Sequence, residues 1–388
     1  MKKVIVLGGG FAGVEAAIRL QKSGFCDVTL VSDRDFLYLY PISIWIPTHG
    51  ISPDSVKVSL YEIQKKHGFS LIIDSVQNIS PKENTILCSK QILTYDYVII
   101  ALGANKLSHN GIEHTYSICG KPEISIEIQK TLDAIIQKKQ GTIAIGFGGN
   151  PKDMSAVRGG PAFEFAFNVH TYLQSKNLRN SIEIHMFAPM KEPGARMGKK
   201  ALSMVDTMLN KANIHKHFGK KISQFEASKI IFEDNSELQA DLIMYIPASQ
   251  GHTALQNSNL PLNNAGFVII DDTCKVEGTS NVYAIGDSAA IEGYDWIAKQ
   301  GHLAELMGRN AAYNIIQSIQ NSTKRKGYKE HLNILCVMDT GNGAAFVFRN
   351  HKRAFVIPMP IVGHWLKKSW GVYSKLTKLG KIPHLPGM

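Results

Sequence analysis

Acidic residues run out before the chain does. From Thr340 to Met388 there is no Asp or Glu, while Arg349, Lys352, Arg353, Lys367, Lys368, Lys375, Lys378 and Lys381 supply eight of the eleven net positive charges. Cysteine is also scarce: the five present, Cys26, Cys88, Cys119, Cys274 and Cys336, are odd in number and form no CxxC pair. That argues against a disulfide framework or a zinc site, so no metal is expected. No run of eighteen apolar residues occurs, which excludes a transmembrane helix. No solenoid-period repeat or low-complexity segment is present. Nucleic acid is a poor partner for the positive charge, because no RNA- or DNA-binding motif accompanies it. With 388 residues, 44% of them hydrophobic, the chain is long enough for two or three domains with sizeable cores.

What is there begins at once. The run VIVLGGGFAGVEAA takes an apolar strand through Gly8, Gly10 and Gly13 into a helix opening at Phe11 and Ala12. Gly8 suits the tight turn, Gly10 lets backbone approach a pyrophosphate, and Gly13 lets helix pack on strand, with the helix N-terminus facing the anion. A second strand, DVTLVSD, ends near Ser32 and Asp33 and completes the context that a dinucleotide cradle requires. Only Met1-Lys2-Lys3 precede the first strand. Cleavage as a signal peptide would destroy the cradle, so a cytoplasmic location is expected.

The basic tail is also patterned. Val362, Trp365, Leu366, Trp370, Tyr373 and Leu376 recur mostly at three- and four-residue intervals with lysines between them. This predicts an amphipathic helix, and interfacial tryptophans among lysines suit an anionic membrane surface, here the cytoplasmic face of the inner membrane. The alternatives are an interface in a homo-oligomer or a helix packed on the core.

Between the cradle and the tail the chain divides into segments. Residues 1–105 are expected to form the first part of one dinucleotide domain, 106–262 a second Rossmann-like domain, 263–335 the return to the first, and 336–388 a terminal membrane-associating region. In the second domain the strand GTIAIGFGG is followed not by a helix but by NPKDMSAVRGG, and only then by the helix GPAFEFAFNVHTYLQ. Pro151 stands where a third glycine belongs, and the next strand closes on Phe187-Ala188 rather than on an acid to hold a ribose. Nicotinamide dinucleotide binding is therefore disfavoured.

Two further motifs bear on the cofactor. NVYAIGDS ends a strand at Gly286 and Asp287, where a carboxylate can accept hydrogen bonds from a ribityl chain, and YDYVIIALGA ends one at Ala101, Leu102 and Gly103. With the N-terminal cradle, in this order, they resemble the two-dinucleotide-binding-domain flavoproteins, whose cofactor is FAD. The expected class is α/β, with two Rossmann-like dinucleotide-binding domains, the FAD domain discontinuous, and a C-terminal amphipathic membrane-associating segment.

Over nearly the whole chain the sequence is similar to the sulfide:quinone oxidoreductases and their flavocytochrome c sulfide dehydrogenase relatives. Asp35-Phe36 through Pro41 and Trp45 resemble that family's extended loop, and Val76 joins the expected cofactor contacts. GPAFEF, with Glu164, resembles GPAYEF, where a glutamate lies near the flavin. Lys299, in AKQG, stands at the turn by the isoalloxazine ring, where a cation would stabilise the anionic reduced ring. HTYSICGKPE, with Cys119, and NILCVMDTGNGAAFVF, with Cys336, are similar to segments bearing the redox cysteines. The resemblance implies that sulfide attacks a cysteine bridge, that electrons pass to FAD, and that a quinone entering from the membrane accepts them.

One departure stands out: where the family has GASCFGPAYEF, this chain has GFGGNPKDMSAVRGGPAFEF, with no cysteine. The mechanism then requires Cys119 to replace the missing partner of Cys336. The other three cysteines read as small buried hydrophobes. The competing functions are a type II NADH dehydrogenase-like quinone reductase and a non-catalytic FAD-binding homologue.

Overall fold

The computed structural model describes residues 1–384; the last four residues of the expected terminal region lie outside the described residues. A five-stranded parallel sheet runs in the order Val282–Ala284, Tyr97–Ile100, Lys2–Leu7, Cys26–Ser32, Ser70–Ile73. Its central strand is a continuous apolar run, with Val4 through Leu7 wholly buried, as a parallel strand covered on both faces requires. Helices Phe11–Ser23 and Gly301–Ile319 pack together on it, and they approach closely because Gly308 leaves room for the Ala12 carbonyl, which a Cβ would meet at 2.6 Å.

A second parallel sheet has the order His215–Phe218, Ile182–Ala188, Gly141–Phe147, Leu242–Ile246. It is served by helices Pro122–Lys138, Gly160–Ser175 and Lys199–Lys211. Two small antiparallel sheets, one spanning Val76–Thr94 and one Ile222–Gln239, accompany the two units. The architecture is mixed α/β with Rossmann-like units, and the chain returns to the first sheet at Val282.

The tail holds an element not anticipated from sequence. Strands Ile334–Asp339, Gly343–Arg349 and Ala354–Pro360 form an antiparallel sheet, and helix Val362–Lys378 lies against it. The helix carries its residues unusually. Val362, Trp365, Leu366 and Val372 face outward, 46–68% exposed, while Gly363, Lys367, Gly371, Ser374, Thr377 and Lys378 face inward. Two expectations need correcting here. Trp370 does not share the outward stripe but stacks on Phe11 with ring centroids 6.4 Å apart. Lys367 and Lys378 are not surface charges; both are buried against carboxylates. Small residues allow this close seating, since even a Cβ at Gly371 would press on Ile42 at 2.9 Å.

Candidate dinucleotide and redox site

Strand Lys2–Leu7 delivers the chain into a turn that only glycines permit. Gly8 has φ +114°, and a Cβ there would collide with the Ala101 carbonyl; one at Gly13 would collide with the Gly8 carbonyl. Gly10, in contrast, faces open space, with nothing within 4 Å of where its Cβ would be. The helix beginning Phe11-Ala12 has no side-chain cap and no acid in its first turn, so its amide dipoles are uncompensated. That combination fits a pyrophosphate.

The surroundings agree. Ser32 closes the second strand with its hydroxyl donating to the Arg34 carbonyl at 2.7 Å, Asp33 beside it is exposed, and the buried Nε of Arg34 has no hydrogen-bond partner. Ala101 and Leu102 lie directly across from Gly8, and the carbonyl of the next residue, Gly103, accepts from Ser288 at 3.0 Å. Gly286 turns with φ +60° and packs on Ala12, leaving Asp287 partly exposed and paired with Arg158. These residues fit an FAD pyrophosphate and ribityl chain. Pro41 opens a 3₁₀ turn, Tyr40–Trp45, whose Tyr40 ring meets Phe11 edge-on at 5.7 Å, whereas Val76 starts a strand of the small antiparallel sheet, paired with Cys88.

Lys299 is almost fully buried. Its ammonium lies 3.8 Å from the Phe267 ring centroid and donates to the Ala289 carbonyl. Burial pulls its pKa down to about 7, with Asp153 opposing and Arg158 reinforcing the fall.

A second constellation forms where helix Gly160–Ser175 meets the tail. Glu164 is buried, pairs with Lys367 and accepts the Asp339 backbone N–H at 2.8 Å. Asn168 links the cluster by donating to the Asp339 carboxylate at 2.8 Å, and His364 bonds that carboxylate at 2.6 Å. Burial raises the Glu164 pKa despite Lys367. Burial would raise that of Asp339 too, but His364, the Gly341 N–H and Asn168 outweigh it and hold the carboxyl low. Two neighbouring acids are thereby driven apart in proton affinity, the usual arrangement for holding and passing a proton.

Cys119 and Cys336 are free thiols, each partly buried, and both sit in the field of Glu164 and Lys367. Burial and Glu164 push Cys336 up to about 12 against Lys367. Burial also raises Cys119, with Arg158 and Lys106 opposing. As free thiols both therefore stay protonated near neutral pH. Cys26, Cys88 and Cys274 are buried, in keeping with a packing role.

The segment 148–159 crosses between the two parallel-sheet units. Asn150 donates to the Ser249 carbonyl at 2.8 Å, Asn263 to Asp153 at 3.1 Å, and the Lys299 N–H to the Ser155 carbonyl at 3.1 Å. The Arg196 guanidinium gathers the carbonyls of Met154, Val157 and Ile297 at 2.6–3.1 Å. The helix that would present its N-terminus to a second pyrophosphate starts only at Gly160.

Sequence inspection misses Lys367, Asp339, Asn168, His364 and Arg196. The spacing of the tail reads Lys367 as a surface charge, and nothing local in DTGNG or HWLKK marks residues that meet across the fold.

The type II NADH:quinone oxidoreductase of Haemophilus influenzae is 22% identical, over 83% of this chain and 81% of that protein. Among solved structures, the sulfide:quinone oxidoreductase from Aquifex aeolicus superposes with TM-score 0.86 at 22% identity, covering 98% of this chain and 92% of that one. NDH2 from Plasmodium falciparum gives 0.75 at 15% identity, covering 98% of each. The family model for pyridine nucleotide-disulphide oxidoreductases matches residues 2–325, and the chain belongs to that family of oxidoreductases.

Proposed function

We propose that this protein is a membrane-peripheral FAD enzyme that oxidises sulfide or a related sulfur species and reduces a quinone. The observation that carries this reading is the segment 148–159, which spans the place of a second cradle and is bonded to Lys299, Arg196, Asn263 and Ser249. A nicotinamide dinucleotide would meet this segment ahead of the helix N-terminus, which is displaced to Gly160. Bound FAD would supply two-electron transfer between donor and quinone, held by Gly8, Gly10, Gly13, Gly103, Gly286 and Asp287.

The chain's own residues take the remaining roles. Two-electron oxidation of the Cys119 and Cys336 thiols by the quinone acceptor, with loss of two protons, would join them in the reactive bridge, which requires about 4.4–6.8 Å between their Cα atoms. Attack by hydrosulfide on that bridge makes one sulfur–sulfur bond as another breaks, leaving a persulfide and a thiolate whose charge Lys367 and Arg158 offset. Glu164, paired with Lys367 and with its proton affinity raised by burial, lies in the field of Cys336. The Asp339–His364 pair, with Trp45 packed at 5.2 Å from the His364 ring, leads from that cluster to the base of the tail helix.

The outward face of that helix supports membrane docking. Trp365 and Leu366 are 63% and 46% exposed, and no helix among the described residues is long and apolar enough to span a bilayer. Lys368, Lys375 and Lys381 remain partly or fully exposed, each able to contribute about 1 kcal/mol at an anionic surface. Replacing Trp365 and Leu366 together by Ser should weaken vesicle co-sedimentation by roughly thirtyfold, from about 2 kcal/mol of lost apolar burial; unchanged sedimentation would assign the face to another partner.

Lys299→Met should lower the midpoint potential of the bound flavin by about 30 mV, equivalent to about 1.4 kcal/mol for two electrons. No shift in potentiometric titration would leave Lys299 a packing residue beside Phe267.

A second reading, NADH as the donor, draws on the curated relatives, which include type II NADH:quinone oxidoreductases. Anaerobic titration of the FAD-loaded protein with sulfide, and separately with NADH, decides between them. Bleaching of the visible flavin band by sulfide, reversed by a quinone analogue, is the expected result; bleaching by NADH alone would overturn it.

A further inference from the structure

The second parallel sheet carries a cluster that the redox site does not use. Glu183 and His185 alternate onto one face of strand Ile182–Ala188, and the parallel register sets His185 opposite His215 on the edge strand His215–Phe218. His217, two residues on, shares that face. The His185 Nε2 lies 3.1 Å from a Glu183 carboxylate oxygen, and its Nδ1 lies 3.0 Å from His217 Nε2. The His185 and His215 rings stack with centroids 4.7 Å apart, and one ligand atom from each of Glu183, His185 and His215 falls within 4.8 Å of the other two.

We propose that Glu183, His185 and His215 bind one divalent transition-metal ion of the zinc type. Two imidazoles and a carboxylate suit such an ion, and ligand atoms about 3.1–3.5 Å apart are what metal–ligand bonds near 2.0–2.1 Å in a tetrahedral site demand. The pair already at 3.1 Å meets this, and His215, now stacked on His185 at an exposed edge, would have to rotate its side chain to do the same. A fourth position stays open to water.

His217 has a separate part. With a metal on Nε2, His185 carries its proton on Nδ1 and donates to His217 Nε2, which fixes the tautomer and ring orientation as an outer-sphere partner does. The neighbouring cations are engaged elsewhere. Lys216 bonds Asp206 at 2.7 Å, Lys220 bonds Asp234 at 3.0 Å, and the Arg179 guanidinium bonds His170 and the carbonyls of Ile182, Ala212 and Asn213. Glu183 is thus left to the histidines. The absence of paired cysteines argued against zinc, but this ligand set contains no cysteine. Its effect would be structural, tying the edge strand His215–Phe218 to its neighbour.

The test uses the full-length, FAD-loaded protein after chelation, titrated calorimetrically with Zn²⁺ and then measured by zinc X-ray absorption. One ion per chain with imidazole back-scattering is expected, together with a rise in melting temperature. The His185→Asn/His215→Asn double variant should bind at least about tenfold more weakly, and His217→Gln should also lose affinity. Glu183→Gln, at an exposed position, provides the same test should the double variant not keep its flavin band and far-ultraviolet spectrum. No saturable zinc binding by the wild type, or affinity and stoichiometry retained in the variants, overturns the assignment.

Discussion

Lys378→Met is expected to lose about 3–5 kcal/mol of stability, measured by urea unfolding followed by circular dichroism. The Lys378 ammonium, 1% exposed, lies 2.6 Å from Glu15 and 2.8 Å from Glu305, joining the tail helix to both helices of the first unit. Glu15 is itself wholly buried, and removing the ammonium would leave its charge with Arg19 at 3.0 Å, His384 at 3.6 Å and Arg309 at 3.8 Å. Most of the loss comes from stranding a buried carboxylate, so Glu15→Gln in the same chain should restore part of it. A loss below about 1 kcal/mol would mean that water reaches the pair.

The same pair gives a pH dependence. Burial pushes the Glu15 carboxyl up, and Lys378, with His384 and Arg19, more than reverses this, bringing it from the ordinary 4.5 to about 2. A depressed carboxyl stabilises the fold fully above its unfolded value. The contribution of Glu15 should therefore be complete above about pH 4.5 and vanish as pH falls through about 2. Unfolding midpoints measured across that window in wild type and Glu15→Gln should converge at the acid end.

Gly13→Ala should abolish most cofactor loading. The added methyl meets the backbone carbonyl of Gly8, which no side-chain rotation can relieve, so the helix start must move away from the strand. Overpacking of this kind costs about 1–3 kcal/mol. Set against binding of the dinucleotide, that is up to about a hundredfold in affinity, at 1.4 kcal/mol per decade. FAD per chain, read from the visible band after gel filtration, is the measurement. Full loading would show that the turn does not press on the cofactor, and a folded far-ultraviolet spectrum separates lost binding from lost structure.

Much of the first unit is legible because its signals are local. A buried strand, a turn with φ +114° at Gly8 and a helix without a cap follow one another within a dozen residues, so each can be inferred from its neighbours. The helices Pro122–Lys138, Gly160–Ser175 and Gly301–Ile319 are likewise marked by apolar periodicity, and the strands by unbroken apolar runs. The antiparallel sheet at 334–360 is not, because its segments read as a cysteine motif and as basic tail, and their pairing lies in neither. The segment 148–159 visibly breaks a glycine pattern, yet what it does depends on Arg196, Asn263 and Lys299, each supplied from another part of the chain.

The tail helix divides the two kinds of information most clearly. Its existence and amphipathic period follow from the spacing of Val362, Trp365, Leu366 and their neighbours, since a 3.6-residue repeat is a property of the helix alone. Which side faces inward does not follow, and the period suggests the wrong side for Lys367 and Lys378. Lys367 meets Glu164 from 203 residues away and Lys378 meets Glu15 from 363 residues away. A buried ammonium is tolerable only where a carboxylate waits for it. The dinucleotide cradle was determined by adjacent residues and their backbone geometry; the buried charge network behind Cys336 was decided by tertiary structure, because its partners come together only when distant segments have packed.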